Sequence, residues 1–93
     1  MISLCVLLWS RPGREEDLTT YEDVVMKLLE EHGGRVVRRG LVAQAEPGSP
    51  TEVQFLELPG QASLDAYLTD PRRLALAADR DAAIERTQVL RLL

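Results

Sequence analysis

The chain has 93 residues, of which 45% are hydrophobic and 28% charged. This is the balance of one soluble globular domain, expected to occupy 1–93 whole, and it excludes a disordered or fibrous chain. The net charge of −4 comes from fifteen acidic and eleven basic side chains. With aromatics at only 4%, it argues against nucleic acid as a partner: phosphate neutralisation and base stacking both lack their residues.

Residues 2–9 (ISLCVLLW) predict a strand. Ile2, Leu4, Val6 and Leu8 share one face, and Ser3, Cys5, Leu7 and Trp9 the other. The run is too short to span a membrane. It carries no basic segment before it and no cleavage site after it, so it does not read as a leader. The cytoplasm is the expected location, with no membrane partner. The single cysteine, Cys5, excludes an internal disulfide and any multi-cysteine zinc site. Arg11-Pro12-Gly13 breaks the strand.

A helix follows. Leu18, Tyr21, Val25, Leu28 and His32 recur at spacings of three and four, Val24 and Leu29 widen the stripe, and Asp17, Glu22, Asp23 and Lys27 are assigned to the wet side. Glu15, Glu16 and Asp17 suit its N-terminal dipole, and Gly33-Gly34 ends it. Residues 35–42 (RVVRRGLV) predict a second strand with a bulge at Gly40, 43–50 a hairpin loop, and 51–58 (TEVQFLEL) a third strand. In that strand Val53, Phe55 and Glu57 share one face, with Gln54, Leu56 and Leu58 on the other. Leu64, Tyr67 and Leu68 start a second helical region, Asp70-Pro71 restarts it, and Leu74, Ala77, Ala78 and Ala82 continue it. Residues 86–93 (RTQVLRLL) close the chain as a fourth strand.

The order strand, helix, strand, strand, helix, strand predicts a ferredoxin-like α+β sandwich: two right-handed crossovers, a four-stranded antiparallel sheet and both helical regions on one face. The other face would then be bare. Since the central first strand is apolar on both sides and Phe55 lies on the third, a homodimer packed through sheet faces is expected.

Within this layout the chain is similar to the dimeric α+β barrel superfamily. The resemblance rests on Gly33-Gly34-Arg35, Arg39-Gly40, Glu57-Leu58-Pro59 and Asp70-Pro71. It points most closely to a small branch of unassigned function related to antibiotic-biosynthesis monooxygenases and polyketide cyclases. The resemblance implies an apolar cavity between sheet and helices and cofactor-free chemistry on oxygenated apolar metabolites. Haem-degrading members use a set of Asn, Trp and His; this chain contains no Asn.

The polar residues that carry chemistry are few. His32 is the lone side chain that titrates near neutrality, read either as a general base at the cavity mouth or as a helix terminus residue. Arg39 and Glu57 are expected to meet across the second and third strands, as an ion pair at the dimer interface or as an anion clamp for an enolate. Tyr67 and Tyr21 lie on the helices' inner stripes, as core residues or as donors into the cavity. Trp9 caps a ligand cavity or the dimer edge. Arg72 and Arg73 read as a solvated pair. No His-x-x-x-His, phosphate loop or nucleophile elbow is present, so neither a metal nor an organic cofactor is expected. The functional reading is a homodimer that binds a small apolar ligand, as a cofactor-free isomerase, cyclase or monooxygenase. The rival is a non-catalytic assembly or regulatory module.

Overall fold

The computed structural model describes residues 1–43 and 46–93; residues 44 and 45 of the expected hairpin loop lie outside them. The elements follow the order β1 (Ile2–Ser10), α1 (Glu15–Glu31), β2 (Arg35–Leu41), β3 (Glu52–Leu58), α2 (Gln61–Leu68), α3 (Pro71–Leu74), α4 (Ala77–Ala83) and β4 (Ile84–Leu92). The strands form one antiparallel sheet in the order β2-β3-β1-β4. This is the ferredoxin-like α+β arrangement expected from the sequence. Within it, β4 starts earlier than residue 86, because Ile84 pairs with Ser10 beyond a register shift at the end of β1.

β1 is central and its two faces have different surroundings. Ile2, Leu4, Val6 and Leu8 join Leu56 and Leu58 of β3 in the core beneath the helices. On the reverse side Cys5 is buried between Phe55 and Leu90, which are themselves exposed. Helix α1 supplies the largest part of the other layer. Its fully buried side chains Leu18, Val25 and Leu29 are spaced by seven and four, so the stripe runs 18, 22, 25, 29. Position 22 is the middle of that stripe, and Glu22 is buried there rather than on the wet side. Val24, expected to widen the stripe, is exposed. The second layer half is broken into three short pieces, and α3 begins on the Asp70 cap with Pro71 next to it.

The strand pairing of β2 differs from expectation in one place that matters. The register runs Arg35 to Glu57 and Val36 to Leu56, then slips so that Arg38 meets Phe55 and Arg39 meets Gln54. The extra residue is Val37; Gly40 pairs regularly with Val53. A one-residue slip turns every later side chain to the opposite face. Arg39 therefore points to the helix side, and the expected Arg39–Glu57 contact does not form.

Gly34 and Gly40 separate two glycine roles. A Cβ at Gly34 would lie 2.6 Å from Leu29 Cγ and 2.9 Å from the Leu29 carbonyl oxygen, whereas one at Gly40 meets nothing within 4 Å. Gly34→Ala is expected to lower unfolding free energy by about 1–3 kcal/mol, and Gly40→Ala to stay within about 0.5 kcal/mol of the parent. Urea denaturation of both variants checks the difference.

Candidate functional site

Between the inner sheet face and the helices lies a cavity of about 270 Å3, at the small end of ligand sites. Leu4, Val6 and Leu8 of β1, Met26 and Leu29 of α1, Leu56 of β3 and Ile84 and Val89 of β4 make most of its wall apolar. Set into that wall are Tyr21, Glu22, Gln54, Tyr67, Arg73, Arg80 and Thr87.

Glu22 is the side chain most affected by its surroundings. It is 5% exposed, and burial pushes its carboxyl above the usual range; the bond from Gln54 opposes this, while the nearby charge of Glu52 adds to it. Gln54 Nε2 donates to Glu22 Oε1 at 2.6 Å and to Glu52 Oε2 at 2.7 Å. One amide thus bridges two carboxylates. The charge of Glu52 is answered by Arg39, whose Nε and Nη2 donate to its two oxygens at 3.0 and 3.2 Å. Arg39 Nη1 also reaches Asp23 at 2.7 Å. Burial works against the Arg39 charge, but the bonds to Glu52 and Asp23 outweigh it and hold the guanidinium more firmly charged than usual. Among the described residues, Glu22 Oε2 takes no protein donor.

Two phenols share the cavity with Glu22. Burial pushes both Tyr21 and Tyr67 up, with Arg73 acting against burial in each case. The Arg73 guanidinium lies over the Tyr67 ring, 5.0 Å from its centre. The Arg73 side chain donates to the Tyr67 hydroxyl oxygen; neither phenol O–H donates to an acceptor among the described residues, so both remain available as donors.

The other residues singled out in the sequence lie elsewhere. Glu57 is on the bare face and accepts from Arg35 at 2.7 Å. Trp9 is also on that face; its Nε1 donates to the Gly48 carbonyl at 2.9 Å, and Arg86 stacks on its ring at 4.4 Å. His32 closes α1 and bonds Asp70 at 2.8 Å, with its ring edge-on to Tyr67 at 6.5 Å. It supports the back of Tyr67 and does not line the cavity. Asp70 also accepts the Arg72 backbone N–H at 2.8 Å and two guanidinium bonds. Arg72 and then His32 hold the Asp70 carboxyl well below the usual carboxylate range. Its contribution to stability is therefore complete above the ordinary Asp range and is lost as pH falls below it.

Of the sequence-derived set, then, Tyr21 and Tyr67 come together at the cavity, Arg39 stands behind it through Glu52, and His32, Glu57 and Trp9 stand apart. Glu22, Gln54, Arg73 and Arg80 were not foreseen. For Glu22 the signal was present in its spacing, four residues after Leu18 and three before Val25. Arg73 is not part of a solvated pair: Arg72 faces solvent, while Arg73 Nε is buried. Among the described residues no three of His, Cys, Asp and Glu are grouped to hold a metal ion, and no helix is long and apolar enough to cross a membrane.

No family model matches the chain, and no curated protein matches it. Solved structures do. A protein of unknown function from Rhodopseudomonas palustris superposes with a TM-score of 0.80 at 24% identity, over 98% of this chain and 79% of its own. An uncharacterized NIPSNAP domain protein from Burkholderia xenovorans gives 0.75 at 16% identity, over 100% and 93% of the two chains. An antibiotic biosynthesis monooxygenase gives 0.69 at 14% identity, over 100% and 97%. The chain has the ferredoxin-like fold. Its structural neighbours include NIPSNAP-type proteins and an antibiotic biosynthesis monooxygenase, in line with the resemblance drawn from its turns and caps.

The Glu22 carboxyl gives a pH test. Because its titration is raised in the folded state, folded protein binds this proton more tightly than unfolded protein, and its contribution to stability falls as pH rises from the ordinary value of 4.5. Glu22→Gln removes that term. The stability of the variant relative to the parent should therefore grow with pH above 4.5, by about 1.4 kcal/mol for each pH unit by which the titration is displaced. Denaturant unfolding of both proteins at several pH values measures it; a constant difference would place Glu22 in an ordinary solvated environment.

Proposed function

We propose that this protein is a homodimer that binds a small, oxygenated apolar molecule in each subunit's cavity and transfers a proton on it without an organic cofactor. The observation that carries the reading is a buried carboxyl with one oxygen free of protein donors, set beside two phenols whose O–H groups have no acceptor among the described residues, in the wall of an apolar cavity. A filled core would have favoured a non-catalytic module; the open space favours a ligand.

The chemistry follows from the groups present. Ionised Glu22 takes a proton from carbon next to a carbonyl. The C–H electron pair becomes a C=C bond, and the carbonyl π pair moves onto oxygen. Tyr21 and Tyr67 donate to that oxygen as it becomes an enolate. Return of the proton from Glu22 to the far carbon of a conjugated enolate gives an isomer. Attack of the enolate on a second carbonyl forms a C–C bond and moves that carbonyl's π pair onto its oxygen, and the resulting alkoxide takes the proton from Glu22 to give a cyclised product. Both outcomes are redox-neutral. Gln54 holds Glu22 in place, and the raised proton affinity of Glu22 brings its basicity closer to that of its task.

The dimer reading rests on the bare sheet face. Phe55, Leu90, Leu92 and Val37 are all exposed there, beside the half-buried Leu7 and Val53. A second copy packed on this face would cover them in a two-fold arrangement.

Three measurements bear on these proposals. Light scattering after size exclusion should give twice the chain mass of 10.4 kDa. Phe55→Glu, which alters a side chain 40% exposed in the subunit, should weaken dimerisation roughly 100-fold or more, since two rings lose their cover; an unchanged dimer would move the interface elsewhere. For the cavity, 1-tetralone serves as a neutral carbon acid. The protein should speed exchange of its α-protons with D2O, followed by NMR, and Glu22→Gln should slow that exchange by roughly 10²–10⁴-fold. Leu68→Trp changes a rim residue that is 40% exposed; it should close the cavity and abolish exchange while the fold persists. Exchange that survives both substitutions would remove the cavity from the chemistry.

A further inference from the structure

The cavity wall has more cationic than anionic capacity. It contains two guanidinium groups, Arg73 and Arg80, and one carboxyl, Glu22. Several arginines outside the cavity are matched to carboxylates, while the exposed Arg11, Arg38, Arg86 and Arg91 form no ion pair among the described residues. Arg35 pairs with Glu57 at 2.7 Å, Arg39 with Glu52 at 3.0 Å and Asp23 at 2.7 Å, and Arg72 with Asp70 at 2.9 Å and Glu31 at 3.0 Å. Arg73 forms no ion pair among the described residues. One Nη reaches the Leu68 carbonyl at 3.4 Å, the far limit of a hydrogen bond, and its buried Nε has no acceptor.

Arg80 is held little better. Its Nη2 lies 3.4 Å from the Thr87 hydroxyl, and its Nη1 is 3.7 Å from the exposed Asp81. The Tyr67 ring lies against the Arg73 guanidinium and its hydroxyl oxygen takes one of the N–H groups, but the buried Nε–H is left without an acceptor. A buried donor without an acceptor costs about 1–3 kcal/mol, and more when charged. A ligand that brings the acceptor relieves this cost.

We infer that the cavity ligand carries a carboxylate, held by Arg73 with Arg80, on an apolar body that fills the leucine-lined remainder. The inference rests on the proposed use of the cavity as the ligand site, and it names the class of molecule that site takes. A carboxylate matches the planar fork of a guanidinium with two parallel bonds. A single negative charge also balances the wall when Glu22 is ionised, whereas a phosphate dianion would leave negative charge in an apolar enclosure. The volume of about 270 Å3 limits the body to one or two rings or a short branched chain. Glu22 is held by Gln54 and makes no ion pair with Arg73 among the described residues, so the anion anchor and the proton acceptor are separate groups. The substrate class is then an apolar keto acid, anchored by its carboxylate and deprotonated at carbon beside its carbonyl.

The test uses a matched pair, 2-naphthoate and 2-naphthamide, titrated calorimetrically into the full chain at pH 7. The naphthoate should bind at least roughly tenfold more tightly. The ratio should fall to near one in Arg73→Gln, shrink in Arg80→Gln and return in part in Arg73→Lys. Leu68→Trp should abolish binding of both probes, and it locates the site if Arg73→Gln does not fold. Equal binding of the two probes to the parent would overturn the carboxylate while leaving the cavity as a ligand site. Binding of neither would overturn both. A naphthoate preference that survives Leu68→Trp would place the anion outside the cavity and overturn the inference.

Discussion

Arg39 reaches the helix side of the sheet only because β2 carries one extra residue at Val37. That slip supplies the cation on which the buried polar cluster depends. Glu52 is 2% exposed and Gln54 1%, and both lie under α1 beside Glu22. Without the guanidinium, two carboxylates sharing one amide would face each other in an apolar layer with no counter-charge. Removing one partner of such a buried pair costs about 3–5 kcal/mol, a large part of the stability of a domain this size. The bulge gives up regular pairing at one position near the sheet edge, where bulges are best tolerated. In return the Arg39 fork answers Glu52, Glu52 takes one amide hydrogen of Gln54, and Gln54 gives the other to Glu22. A local slip in an edge strand thus sets the state of a carboxyl two elements away.

The space in front of Glu22 has its own cause. α1 is one continuous helix of 17 residues and packs closely on the sheet through Leu18, Val25 and Leu29. The second crossover is interrupted at Asp70 and again near Leu76, so no single stripe faces the sheet. Tyr67 is the one buried residue of α2, Ala83 that of α4, and α3 has none. The half-layer that should complete the core thus presents phenol, methyl and arginine groups beside only partly buried leucines, Leu64 and Leu76, and does not close it. Interiors normally pack without voids. Here the void follows from broken helices with small or long polar side chains on their inner sides, and the same break brings Arg73 over Tyr67.

The fold was legible because it depends on periodicity. The doubly apolar β1, the three-and-four spacing of α1, the Gly33-Gly34 stop and the Asp70-Pro71 restart each state a local preference, and all agree on one topology. The phenols were legible as members of helix stripes. The remaining site was not, for two physical reasons. In the run Arg35-Val36-Val37-Arg38-Arg39 neither register gives clean alternation, so the bulge leaves no mark in the pattern, and the partner of Glu57 is Arg35, four residues before the expected Arg39, which sits opposite Gln54. Glu22 and Arg73 were sorted by residue type, when position carried the information. Spacing puts Glu22 in the centre of the buried stripe, and adjacent residues on a helical turn point about 100° apart, so Arg72 and Arg73 need not share solvent. His32 and Asp70 are 38 positions apart; their bond belongs to tertiary packing, and neither local pattern announces it.

The two proposed activities of the sheet, association on one face and ligand binding on the other, use the same strands through alternate residues. On β1, Leu4, Val6 and Leu8 line the cavity while Cys5 and Leu7 look outward; on β3, Gln54 and Leu56 look inward while Val53 and Phe55 look outward. A strand two residues out of phase would preserve both sets, but a slip of one would exchange them, exposing leucine and burying the interface. On the proposed dimer, register is constrained from both sides, more tightly than in a sheet with one wet face. β2 escapes that constraint because it lies at the sheet edge and contributes little to the apolar wall. It is the strand in which a one-residue insertion can be kept, and the one in which it delivers the Arg39 charge to the cluster behind Glu22.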